Sequence, residues 1–410
     1  MHTLKRRTLL GSAALWATLV ALPAGATGKP AQGLTDTSIK LGVSGPLTGP
    51  VAAVGAVAEG LKLKVAAVNA AGGVRMRDGR TRTIELVVQD DGFDPQRTLT
   101  NVRRLEERSG VFALVGVVGT PNNEAIARYL DQRGLPNLFM YSGVHELSAG
   151  RSWTVGLVPS FAVEAATFVA WLKENRPEAK VGLLYLNTES GQSFRAALVK
   201  VAEGSKITLV AEQPVTSTDP TVDTQMTNLR TSGADTLVVI ASPRQSAQAV
   251  RIATESGWKP TTMVSYIGAS ETSLRPIGVA NARGILTSQF MQQAGAATPS
   301  PGLRAYLDTH AAARPPFEKG DANGMLGYLT GEALVHVLET MAEPTRKSMI
   351  EAAQNLDNVS LGLLLPGITL TTRAGRDIYP IESLQVFRFD GQHYEPAGQV
   401  TAFEGGTSKF

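Results

Sequence analysis

The chain has 410 residues, 43% of them hydrophobic and 18% charged, which is more than a single core usually serves, so two lobes are expected. It has no cysteine, which excludes thiol catalysis, disulfides, cysteine-ligated metal and a lipid-modified N-terminal cysteine. The 39 Lys and Arg against 36 Asp and Glu leave too small a basic excess for a nucleic-acid footprint.

Residues 1–26 stand apart from the rest. Lys5-Arg6-Arg7 precedes an apolar run from Leu9 to Leu22, then Pro23 and the small-residue pattern Ala24-Gly25-Ala26. This reads as an export signal cleaved near Ala26. The run of about 14 apolar residues falls short of the roughly 20 that span a bilayer. Arg6-Arg7 followed by Thr8-Leu9-Leu10 resembles a twin-arginine signal, while Lys5 and Gly11 depart from the fuller motif, so both the twin-arginine and the Sec routes stay open. Cleavage removes Lys5, Arg6 and Arg7 and no acid; 39 less three leaves 36 basic against 36 acidic residues. The expected address is a bacterial periplasm.

After a polar lead, β-rich apolar runs alternate with runs of helical period. Strands are expected at Ile39–Ser44, Thr83–Asp90, Phe112–Val118 and Asn137–Tyr141, with helices starting near Val51, Asp94 and Pro121. A second series has strands near Val181–Leu186, Ile207–Val215, Thr236–Ile240 and Thr262–Tyr266. Its helices are near Ser160–Asn175, Gln192–Glu203, Val222–Thr231 and Arg244–Ser256. A long helix over Asn323–Met341 and a strand at Leu384–Asp390 follow. Alternating βα units imply parallel sheets covered on both faces, so the fold class is α/β with two doubly wound lobes.

The loop Gly45-Pro46-Leu47-Thr48-Gly49-Pro50 after the first strand lacks the lysine and hydroxyl of a phosphate loop, and its glycines do not fit a dinucleotide fingerprint. Asp90-Asp91, beside Asp94-Pro95, reads as a strand-end turn and helix start. The five histidines are scattered, His145-Glu146 lacks the second histidine of a zinc helix, and no G-x-S-x-G elbow occurs, so neither cofactor nor metal is expected. Arg75, Arg77, Arg80 and Arg82 crowd around Asp78-Gly79 and suggest a solvated hairpin, with anion capture or docking as the other reading.

The ordered set "GPLTGPVAAVG" (45–55), "NAAGGV" (69–74), "IELVVQDDGFDP" (84–95), "ALVGVVGTPNNEAIARYL" (113–130) and "LPNLFMYSGVHELS" (135–148) resembles the extracytoplasmic solute-binding proteins of the branched-chain amino-acid ABC-transporter family. These are the Leu/Ile/Val-binding-like proteins of the type I periplasmic binding fold. The later "GLLYLNTESGQSF" and "LPGITLTTRAGRDIYP" are similar to the same pattern, so the resemblance covers about 36–400. It implies two lobes joined by a three-segment hinge, with crossings near Val155–Pro159, Ile285–Gln289 and Gly367–Thr371. Lobe I would be 36–157 plus 287–368, and lobe II 158–286 plus 369–410. It also implies a small-molecule ligand in the interlobe cleft, a monomer, and an ABC permease in the inner membrane as partner.

In open parallel sheets ligands sit beyond the carboxyl ends of the strands. "ALVGVVG" ends at Gly119, where the backbone can approach a ligand closely. Thr120 reads as an N-cap before Pro121, and the helix start offers donors to a carboxylate. In the family, the turn after the next strand gives further contacts, which puts Tyr141, Ser142 and Gly143 in the site.

The lobe II positions depart from the amino-acid-binding pattern. Ser190 stands before Gly191 and Ser242 or Pro243 stands after "TLVVI", where tyrosines would be expected. After "TTMVS", where an acid would meet an α-ammonium, the residues are Tyr266, Ile267 and Gly268, with Glu271 further on. The candidate ligand-binding residues are therefore Thr48, Gly119, Thr120, Tyr141, Ser142, Gly143, Ser190, Ser242 and Tyr266. The ligand is either a branched-chain or related amino acid, or a small carboxylate or amide without an ammonium. The expected function is a non-enzymatic receptor of an ABC importer. The alternative is a ligand-sensing subunit of a signalling system with the same fold.

Overall fold

The two βα series fold in chain order as two sheets. The computed structural model describes residues 2, 32–49, 51–144, 152–216, 218–296 and 298–407. Apart from His2, the export signal lies outside the described residues, as do Pro50, His145 and Glu146.

β1 (Ser38–Gly45) leads through a 3₁₀ turn at Ala52–Gly55 into α1 (Ala56–Ala70). The hairpin of β2 (Val74–Arg75) and β3 (Thr81–Asp90) precedes α2 (Pro95–Glu107), whose cap Asp94 accepts from the Arg97 amide at 2.7 Å. β4 (Ala113–Val115), α3 (Thr120–Arg133), β5 (Asn137–Met140) and β6 (Thr154–Gly156) complete this sheet, in the order β2-β3-β1-β4-β5-β6. Only the β2–β3 pairing is antiparallel. β4 is shorter than the apolar run Phe112–Val118, because Gly116 takes φ +66° and leaves the extended region.

The second sheet opens after α4 (Phe161–Asn175), whose cap Ser160 accepts from the Val163 amide. It alternates β7 (Lys180–Leu186), α5 (Glu189–Ala202), β8 (Thr208–Val215), α6 (Asp223–Thr231), β9 (Thr236–Ile240), α7 (Pro243–Glu255) and β10 (Thr261–Val264). The short helices α8 (Glu271–Leu274) and α9 (Val279–Ala282) lead to β11 (Leu286–Gln289). The chain then forms α10 (Pro301–Ala313), α11 (Ala322–Thr340) and α12 (Arg346–Ala353), and returns as β12 (Ser383–Phe389) and β13 (Tyr394–Ala402). The order is β13-β12-β11-β10-β9-β7-β8, with β12 and β13 antiparallel.

Helices cover both faces of each sheet, so β4, β5 and β9 are buried along their whole length. α1 and α11 pack backbone against backbone: a Cβ on Gly327 would lie 2.0 Å from the Val57 carbonyl. Among the described residues no helix is long and apolar enough to cross a membrane.

The arginine-rich hairpin is less solvated than its composition suggests. Arg82 is 1% exposed and forks onto Asp78 with bonds of 3.0 and 2.7 Å, while its Nε donates to the Thr35 carbonyl. Arg75 and Arg77 are exposed.

Candidate functional site

Residues that follow the carboxyl ends of β1, β5, β9, β10 and β11 line one cavity of about 140 Å³; Val54, Tyr141, Pro243, Tyr266 and Phe290 represent those five strands. This is the place that the strand polarity of doubly wound sheets sets aside for ligands.

Three further hydroxyls, none of them in that lining, meet one residue on from Tyr141. Thr120 Oγ1 lies 2.8 Å from Ser142 Oγ and 3.4 Å from Ser190 Oγ. Thr120 is the first residue of α3 after β4, and Ser142 follows β5, both in the first sheet. Ser190 sits in the first turn of α5 after β7, in the second sheet. The positive ends of two helices therefore converge on a cluster of hydroxyls, an arrangement suited to an anion. Thr120 and Ser142 are each 5% exposed, and no lysine or arginine lines the adjoining cavity among the described residues.

The helix begins one residue earlier than its sequence suggests. Gly119 is the N-cap, at φ +99°, so Thr120 takes the first helical position and its hydroxyl caps nothing. A Cβ at Gly119 would lie 2.5 Å from Phe93 Cε2, and the left-handed backbone there favours glycine. The Gly119 amide donates to the Tyr141 carbonyl at 3.0 Å, which ties the two turns together. Gly143 accepts from the Phe161 amide at 2.9 Å, joining the turn to the start of α4.

Tyr141, Tyr266 and Phe290 are the aromatic residues of the lining. The Tyr141 hydroxyl donates to Asn323 Oδ1 at 3.3 Å, and the Tyr266 hydroxyl to the Pro159 carbonyl at 3.2 Å. Burial, with Asp321 nearby for Tyr141 and Glu164 nearby for Tyr266, holds both phenols well above the ordinary range, so both stay neutral. Tyr266 stacks on Phe161 at 6.5 Å and 16°, and meets Phe290 edge-on at 5.6 Å and 87°.

Behind this wall lies Glu164 of α4, fully buried. Its carboxylate accepts from Ser265 Oγ at 2.7 Å, Ser288 Oγ at 2.6 Å and the Tyr266 amide at 2.8 Å. Burial pushes the carboxyl up to about 7, against the opposing pull of these hydrogen bonds.

Two candidates stand apart from the hydroxyl cluster. Thr48 is exposed, and its hydroxyl donates to Asp90 Oδ2 at 2.6 Å; that bond and the backbone amides of Gly92, Thr48 and Leu47 hold the Asp90 carboxyl below its usual range despite some desolvation. Ser242 caps α7 and donates to Gln245 Oε1 at 2.7 Å. Both hydroxyls brace their own loops. The Asp90-Asp91 pair is likewise engaged, Asp91 accepting from Ser44, Thr98 and the Phe93 amide.

The reading from sequence missed Phe290, Met291, Asp321 and Asn323, which also line the cavity. Phe290 and Met291 directly follow a strand, and Asp321 caps α11, so strand ends and helix starts were the signals that could have found them. Among the described residues no group of three or more histidines and acids could hold a metal ion.

Comparison with known proteins gives a family. A family model described as periplasmic binding protein matches residues 38–392. Leu/Ile/Val-binding protein homolog 8 of Brucella abortus is 22% identical over 333 residues, which cover 78% of this chain and 80% of that protein. The structure of a branched chain amino acid ABC transporter protein from Thermus thermophilus with bound valine aligns with TM-score 0.79 at 17% identity, covering 92% of this chain and 99% of that one. A solute binding protein of an ABC transporter from R. palustris, in complex with 4-hydroxybenzoate, aligns with TM-score 0.73 at 18% identity, covering 89% and 96%.

Proposed function

The chain belongs to the periplasmic binding protein family, whose members are substrate-binding proteins and not enzymes, and we propose that it is the receptor of an ABC importer that closes its two lobes on a small carboxylate-bearing ligand. The observation that carries this reading is the meeting of Thr120 and Ser142 with Ser190 across the two sheets. A carboxylate received there touches both lobes at once, which is how a ligand drives a hinge equilibrium toward the closed state. Valine and 4-hydroxybenzoate, held by two proteins of similar fold, have a carboxylate in common.

Export to the periplasm follows the same reading, with residues 1–26 as the cleaved signal and a mature N-terminus near Thr27. Mass spectrometry of the periplasmic protein reads this directly, and an intact Met1 contradicts it.

We take the lobes as 36–157 plus 287–368 and 158–286 plus 369–410. β11 pairs in the second sheet to Gln289, and Leu365 donates to the Phe290 carbonyl at 2.9 Å, which supports a second crossing at the end of β11. Thr372 and Arg373 bond the carbonyls of Ala353 and Leu356, which supports a third crossing a few residues beyond Thr371.

A thermal-shift screen of carboxylates, amides and amino acids identifies the ligand, and Thr120→Val then tests the site. Losing one hydrogen bond to a charged group is worth about 1.5–3 kcal/mol, roughly a 10- to 150-fold loss of affinity by calorimetry. Unchanged affinity places the carboxylate elsewhere.

A further inference from the structure

We infer that the cleft takes up its anion together with a proton, and that Glu164 of α4 holds that proton. The inference rests on the carboxylate reading above and concerns how the same site responds to pH.

Glu164 stands between the two parts of the site. Its Oε1 accepts from the Tyr266 amide at 2.8 Å and from Ser288 Oγ at 2.6 Å, and its Oε2 from Ser265 Oγ at 2.7 Å. Tyr266 and Phe290 line the cavity, and Ser288 lies on β11 two residues before Phe290. Phe161, three residues before Glu164 in α4, stacks on Tyr266 and donates its amide to the Gly143 carbonyl, in the turn that carries Ser142. One fully buried carboxyl is thus bonded to the cavity wall and sits one helical turn from the contact with the hydroxyl cluster.

A carboxylate that enters this site brings a like charge toward Glu164 and expels water from in front of it. Both changes favour the neutral form of a buried acid. Burial already raises the unliganded carboxyl to about 7, so binding an anion draws a proton onto it near neutral pH. Affinity is then highest below about 7 and falls as pH rises through that value. The bonds accommodate the proton: placed on Oε2 it is donated to Ser265 Oγ, while Oε1 keeps the Tyr266 amide and Ser288.

The titratable and charged groups on the elements around Glu164 are otherwise engaged. The Tyr266 phenol, after β10, stays neutral. Glu382, just ahead of β12, accepts from the Thr407 amide, and Thr407 bonds Ser160, the cap of α4. Arg195 of α5 pairs with Glu212. Lys173 and Glu174 of α4, Arg388 of β12 and Glu395 of β13 are exposed. Asp321, on the cavity wall, has a carboxyl that burial also raises, so the test must separate it from Glu164.

That test is calorimetric titration of 4-hydroxybenzoate, valine and the tightest-binding carboxylate of the thermal-shift screen at pH 5.5, 7.5 and 8.5. The pH 7.5 runs are repeated in phosphate and in Tris, whose different ionisation enthalpies report the protons exchanged. If binding strengthens the carboxyl's hold on its proton tenfold, affinity falls roughly eightfold from pH 5.5 to 8.5, and about half a proton is taken up at pH 7.5. Glu164→Gln keeps the Oε1 bonds and donates to Ser265 as the protonated acid does. It should bind at every pH as tightly as the parent does at pH 5.5, without proton uptake, whereas a purely structural role weakens the variant at all three pH values. Uptake that persists in Glu164→Gln belongs to another group, Asp321 first, and overturns the inference. The parent's uptake is read without the variant, whose thermal melting checks its fold. If the parent takes up no proton or releases one, while Thr120→Val still weakens binding, this inference fails and the carboxylate site stands. If none of the carboxylates binds, or Thr120→Val leaves binding unchanged, the carboxylate reading fails and takes this inference with it.

Discussion

Thr120 shows how much a single residue reveals before any fold is known. A threonine between a strand ending in glycine and a proline-led helix marks the turn where a doubly wound sheet meets its ligand. Its hydroxyl was expected to cap the helix; in the structure Gly119 takes that position and the hydroxyl turns to Ser142 and Ser190. Sequence could not show this, because Ser142 and Ser190 lie 22 and 70 residues away. The difference sets what Thr120→Val does. With no cap to lose, the variant gives up the bond to Ser142 and the longer one to Ser190, and its unliganded stability should fall by about 1 kcal/mol. A binding loss much larger than that marks a ligand contact. Equal losses in binding and in chemical denaturation mark a structural hydroxyl.

Among the elements, α4 was legible as a helix, with Ser160 ahead of an apolar run, but the bonds made by its Glu164 were not. Glu164 reads as an ordinary helix acid until Ser265 and Ser288, 101 and 124 residues on, close around it. Short or polar elements were also missed. β6 has three residues, and β13 carries Pro396 and Gly398, which its place as an edge strand held by β12 tolerates. The buried acid makes a prediction about α4 and its neighbours. The unfolded chain ionises Glu164 above its ordinary value of 4.5, whereas the folded chain keeps the proton until about 7. The folded state therefore binds more protons in that window, and stability falls as pH rises through it, levelling off above about 7, by roughly 3 kcal/mol in total. Glu164→Gln removes this contribution. Urea denaturation from pH 4.5 to 8 should show a flatter profile for the variant. A profile as steep as the parent's contradicts the assignment.

At the scale of the whole molecule, the alternation of β and α runs specified two parallel-dominated sheets, because only helices on both faces satisfy strands as apolar as Phe112–Val115 or Thr236–Ile240. The bonds from Thr372 and Arg373 back to the carbonyls of Ala353 and Leu356 were not legible from sequence, since they belong to no regular element. Thr120 reaches Ser190, and Arg275 pairs with Glu318 at 3.2 Å, an exposed pair that contributes little. The central claim is that a ligand carboxylate received at Thr120, Ser142 and Ser190 draws the two halves together by touching both. Small-angle scattering of the protein, free and saturated with the tightest-binding carboxylate of the thermal-shift screen, tests it most directly. The account predicts a smaller radius of gyration with ligand. An identical profile with and without saturating ligand contradicts it.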